Sequence, residues 1–111
     1  MVVVDAVLDK AGILKSCKAS GHAMSGPKGE DTVCLAVSTL LRTAFRVLSG
    51  REGIQVQAGA PERGVYWMEI DYSAEGKDFL CATGIFLIEG LISVSAEYPD
   101  YCKINIYGAE E

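Results

Sequence analysis

The chain has 111 residues, half of them apolar, with 10 Lys+Arg against 15 Asp+Glu and a net charge of −5. That length suits a single domain over residues 1–111, with room for one core and little more. The acid excess and the lack of any basic block argue against a nucleic-acid partner, whose phosphates demand a dense basic face. Apolar residues spread along the whole length argue against disorder.

Val2–Leu8 places Val2, Val4, Ala6 and Leu8 on one face and reads as a first strand. The opening MVVVDAVLDK lacks a basic leader and is broken by Asp5 and Asp9, so it does not read as a secretory signal. A turn at Asp9-Lys10-Ala11-Gly12 leads to a second strand, Ile13–Ala19, and Gly12 supplies the φ freedom a tight hairpin needs. A loop is expected from Ser20 to Glu30, where Gly21, Gly26, Pro27 and Gly29 oppose regular structure. A helix is expected from Thr32 to Ser49. Val33, Val37, Leu40, Leu41, Ala44, Phe45 and Leu48 recur there at helical spacing, with Arg42 and Arg46 on the opposite face. Asp31 is the expected N-cap, and Gly50 stands where a C-terminal glycine belongs.

Ile54–Ala58 and Val65–Tyr72 alternate as strands on either side of the turn GAPERG. Gly76–Glu97 reads as a second helix that stops before Pro99. Its apolar girth suits packing on the sheet and on a partner subunit. Glu89 and several small polar residues favour a buried helix over a membrane span. Gly84 and Gly90 would each cost about 1 kcal/mol there. A last strand, Cys102–Tyr107, alternates Cys102, Ile104 and Ile106 with Lys103 and Asn105. The order β-β-α-β-β-α-β predicts an α+β fold, two helices packed on a mostly antiparallel sheet.

The cysteines are Cys17, Cys34, Cys81 and Cys102, and none forms a C-x-x-C pair. Neither a zinc ribbon nor a thioredoxin-type centre is indicated, and a reducing cytoplasm would keep all four as thiols. No metal or cofactor is expected. Cys17, Cys81 and Cys102 read as small buried hydrophobes.

Cys34 differs by its place. With Asp31 as N-cap it falls in the first turn, where N–H groups without intrahelical partners and the helix dipole favour a thiolate. The same N–H groups would receive an oxyanion. His22, the chain's only histidine, lies twelve residues earlier, within reach of the helix start. An imidazole there would exchange protons with the thiol. Ser38 lies one turn after Cys34 on the same face. The residues alone also admit a plainer reading, in which Cys34 is a small first-turn residue and His22 a surface or capping group.

Gly21-His22-Ala23, Gly29-x-Asp31-x-x-Cys34 and Ala36-Val37-Ser38 together resemble the signature of the ribosomal-processing cysteine proteases, the Prp family. The resemblance extends over nearly the whole chain, from the opening hairpin to EYPDYCKI. It implies a cytoplasmic homodimeric endopeptidase that removes an N-terminal extension from a bacterial large-subunit ribosomal protein, cutting after an aromatic residue. It makes Cys34 the nucleophile and His22 the general base and acid, with Gly21, Asp31 and Ser38 in support. The stretch Ala23, Met24, Ser25, Gly26, Pro27, Lys28, Gly29 and Glu30 would order over the substrate peptide. Leu35 departs from the small residue frequent in the family, and the loop sequence MSGPKGE is this chain's own. A second reading is a non-catalytic ribosome-associated or assembly module that holds a basic partner on its acidic surface. A redox-sensing thiol is disfavoured, since no resolving cysteine is near in sequence.

Overall fold

The computed structural model of the chain describes residues 1–21, 28–62 and 64–108. Its strands are β1 (Val2–Leu8), β2 (Leu14–Ser20), β3 (Ile54–Gly59), β4 (Val65–Tyr72) and β5 (Cys102–Tyr107). Helix α1 (Lys28–Leu48) follows β2, and α2 (Lys77–Glu97) lies between β4 and β5, preceded by a 3₁₀ turn at Ala74–Gly76. The strands form one sheet in the order β3-β4-β2-β1-β5. Every neighbouring pair is antiparallel except β1 and β5, which the α2 crossover sets parallel. The fold is the expected α+β arrangement.

Alternation decides which side of the sheet is covered. Val2, Val4 and Ala6 of β1, Cys17 and Ala19 of β2, and Met68 and Ile70 of β4 are buried. They meet Val33, Val37, Leu41 and Leu48 of α1 and Leu80, Leu87 and Leu91 of α2. Burial of each such aliphatic side chain contributes about 1.5–3 kcal/mol before entropy is counted. The other sheet face carries the alternate residues, among them Lys18, Trp67 and Glu69, which are partly or fully exposed.

The β1–β2 connection is built on Asp9. Its carboxylate accepts from the Ala11 N–H at 2.9 Å and the Ile13 N–H at 3.0 Å, and the Tyr72 hydroxyl donates to its second oxygen. Gly12 takes φ +81°, as the turn requires. The bond from Tyr72, then that from Ile13, holds the Asp9 carboxyl below its ordinary value of 3.8.

Two expectations change. The first concerns the start of α1, which begins at Lys28, so Lys28, Gly29 and Glu30 are helical instead of loop and Asp31 is the fourth helical residue instead of the N-cap. Extending an existing helix adds one hydrogen bond per residue fixed, and this outweighs the local bias of one glycine and a run of charges. The second concerns the glycines of α2. They are close-packing positions. A Cβ on Gly84 would come within 3.2 Å of Leu14 Cβ, and one on Gly90 within 3.1 Å of Leu40 Cδ2. The helix gives up intrinsic propensity to let β2 and α1 approach it.

By length and composition the segment Ala74–Glu97 is apolar enough to cross a membrane. Leu80, Gly84, Leu87 and Leu91 lay one face of α2 on the sheet. The opposite face is not covered: Ile85 is 58% exposed and Phe86 74%. The expectation of a buried helix therefore holds for one face alone.

Candidate active site

Helix α1 has two flanks on either side of its buried stripe. One flank meets α2 through Leu40 and Gly90. The other carries Cys34, Ser38 and Arg42, spaced four residues apart and thus aligned along the helix. This second flank forms one wall of a cleft of about 390 Å³. Val37 and Leu41 of α1, with Val2 and Ala19 of the sheet, give it an apolar floor. Ser20 and Gly21 at the end of β2, Val65 and Tyr66 of β4, and Ala60, Glu62 and Gly64 of the β3–β4 loop close the far side.

The Cys34 side chain is half-buried on this cleft, so its sulfur is neither sealed in the core nor fully in water. Two of the other thiols, Cys17 and Cys102, are buried. Burial, and next the nearby Asp5 charge, push Cys17 up to about 12, and burial also raises Cys102. All four cysteines are free, and Cys81 is half-buried.

Cys34 is the seventh residue of α1. The sequence reading put it in the first turn, and the earlier helix start moves it beyond that. In an α-helix its N–H bonds to the carbonyl four residues before it, and the dipole's influence falls off within the first turn. Cys34 therefore lies beyond the orphan amides of the helix start, and the first-turn argument made from the sequence does not apply to it.

Ser38 is on the cleft, where its hydroxyl donates to the Leu35 carbonyl at 3.3 Å. Gly21 is fixed by its surroundings. Its N–H donates to the Gly64 carbonyl at 2.9 Å, which ties the end of β2 to the β3–β4 loop. A Cβ at this position would sit 2.7 Å from the Met1 carbonyl oxygen and 2.8 Å from Val2 Cα. Both obstacles are backbone, so only glycine lets the strand leave the sheet along this path. The structure thus brings Gly21, Cys34 and Ser38 to one cleft. His22, Ala23, Met24, Ser25, Gly26 and Pro27 lie outside the described residues, and Asp31 is placed by its backbone position alone.

Sequence reasoning missed the far wall. Val65–Tyr72, which holds Tyr66, reads only as a strand and GAPERG only as a connection, while Arg42, on the helix wall, reads as the face opposite the core. The four-residue spacing of Cys34, Ser38 and Arg42 was the one available signal for Arg42. Among the described residues no three His, Cys, Asp or Glu side chains gather into a metal site.

A family model described as cysteine protease Prp matches residues 1–103. Among solved structures, SMU.848 from Streptococcus mutans is 26% identical with a TM-score of 0.81, and the match covers 98% of this chain and 96% of that one. An essential ribosomal processing protease Prp from S. aureus, in complex with a substrate peptide, is 20% identical with a TM-score of 0.80, covering 96% and 99% of the two chains. The same protease with a covalently linked product peptide matches at a TM-score of 0.78 and 20% identity, with 96% and 99% coverage. No curated protein matches the chain significantly.

Proposed function

The chain belongs to the cysteine protease Prp family, and from that premise we propose that it is a cysteine endopeptidase acting through Cys34 and His22. The observation that carries this reading is the position of Cys34, a partly accessible sulfur on an apolar cleft open at one side. In this account the His22 imidazole removes the Cys34 proton. The sulfur attacks the peptide carbonyl carbon, and the oxyanion forms. The intermediate collapses with transfer of the imidazolium proton to the leaving amine. Water, deprotonated by the same imidazole, then cleaves the thioester and releases a carboxylate. In this account the imidazole, rather than the helix start, activates the sulfur.

Gly21 serves the reaction by letting the chain bearing His22 leave β2 where the cleft begins. Ser38, one turn along α1, and Asp31 support it, and the stretch from Ala23 to Glu30 contacts the substrate peptide. The substrate is the N-terminal extension of a bacterial large-subunit ribosomal protein, as expected of a relative of the S. aureus processing protease. Its aromatic residue would rest on the apolar floor of Val2, Ala19, Val37 and Leu41. The protein would work in the cytoplasm, as a homodimer formed through the uncovered face of α2 around Ile85 and Phe86.

The test is cleavage of a peptide carrying such an extension, read by mass spectrometry. Cys34→Ala is expected to lower turnover by about 10³-fold or more while the fold is unchanged. Retained activity in Cys34→Ala overturns the nucleophile. Binding of the peptide without any turnover by the native protein would return the chain to the non-catalytic module.

A further inference from the structure

The cleft extends well beyond the reactive sulfur. Cys34 and Arg42 are eight residues apart on one flank of α1. At 1.5 Å per residue their Cα positions are about 12 Å apart along the axis. An extended peptide advances about 3.3 Å per residue, so that distance corresponds to three or four substrate residues. Between the two lies an apolar floor with no described charge. Arg42 pairs with no described carboxylate. Its neighbour across the cleft is Tyr66, whose half-buried phenol is raised by burial and drawn back down by the Arg42 charge. Glu62, the described carboxylate on the cleft, stands on the opposite wall, on the loop that Gly64 ties to Gly21.

We propose that Arg42 is a specificity-determining residue that selects an acidic side chain three or four residues from the scissile bond and disfavours lysine or arginine there. The guanidinium presents a planar fork that fits a carboxylate bidentately and repels a substrate cation. Arg42 is exposed at the edge of the cleft, so the pair is partly screened and its preference is modest. The inference rests on the protease reading for the position of the scissile bond, and its own test needs no chemistry.

Peptides spanning the cleavage site, each with Ala, Asp or Lys at one position in turn, are titrated against the Cys34→Ala protein by fluorescence polarisation. The expected result is one position, three or four residues from the cut, where Asp binds about 5- to 10-fold more tightly than Lys. Arg42→Ala in the same background flattens that preference, Arg42→Glu inverts it, and Arg42→Lys keeps part of it. The preference shrinks in high salt. Equal affinities across the series, no binding, or a uniform loss for every peptide in Arg42→Glu would each overturn the inference. Cleavage of the peptides by Cys34→Ala would instead remove the nucleophile, and the charge inversion at Arg42 would still be read.

Discussion

The two flanks of α1 come from one helix and do opposite work. Toward α2, Leu40 lies close on Gly90, where an added Cβ would come within 3.1 Å of Leu40 Cδ2. Toward the cleft, Cys34, Ser38 and Arg42 face an opening of about 390 Å³. The contact of Leu40 with Gly90 sets how closely the two helices approach, with a smaller cleft of about 250 Å³ beside it between Leu40, Val47 and Phe86, and it fixes where the open flank stands relative to the end of β2. The comparison teaches that the candidate site is positioned largely from behind, by contacts that never meet a substrate.

The sharpest probe of the cleft that the open flank faces, short of its sulfur, is Gly21→Ala. The new Cβ collides with the Met1 carbonyl and Val2 Cα, so the chain leading to His22 must shift. A displacement of about 1 Å can cost about 100-fold in rate. Steady-state kinetics should show a loss of that order in kcat, with the circular dichroism of the sheet retained. A near-native kcat would mean that Gly21 does not steer this segment.

On the packed flank the effect should be on stability. Gly90→Val presses on Leu40 and is expected to lower unfolding free energy by about 1–3 kcal/mol in denaturant titrations. Activity per folded molecule should be unchanged. A large kinetic defect in a stably folded Gly90→Val protein would erase the division between the flanks.

Ser38→Ala is a smaller change on the open side. It removes a hydroxyl now bonded to the Leu35 carbonyl, and a loss of about 5-fold in kcat/KM is expected, the size of one modest hydrogen bond. No change at all would make Ser38 a helix-surface residue only.

The smallest expected effect lies far from both flanks. Tyr72→Phe removes the donor that most depresses Asp9. A carboxyl whose folded value is lowered contributes stability above its ordinary value of 3.8, and that contribution disappears as pH falls toward the lower folded value. Thermal melts should therefore show a small deficit for Tyr72→Phe at neutral pH that narrows below about pH 4. The Tyr72 hydroxyl titrates later than usual because of the same bond, so the wild-type advantage should also fade at alkaline pH.

The strands were legible because their alternation is local. Val65–Tyr72 and Cys102–Tyr107 match the observed elements end to end, and β2 is displaced by one residue. The parallel pairing of β5 with β1 was not legible, because it joins residues about a hundred positions apart and no local pattern encodes it. The start of α1 was misread for a cooperative reason. Gly29 and the charges near it look unfavourable one by one, while helix growth is decided by the whole amphipathic segment. At the site, Gly21, Cys34 and Ser38 of the motif line one cleft, but the physical argument attached to Cys34 failed with the helix boundary. The glycines of α2 were counted as a cost since sequence shows the missing side chain and not the neighbour that occupies its space.

The central claim is that the Cys34 sulfur forms a bond to the substrate carbonyl carbon. It is tested most directly by acid-quenching the native protein with an extension peptide and locating adducts by tandem mass spectrometry. The account predicts a thioester between Cys34 and the N-terminal fragment, formed before free fragment accumulates and removed by hydroxylamine. Steady release of both fragments with Cys34 never acylated, or an adduct on Cys81 alone, would contradict it.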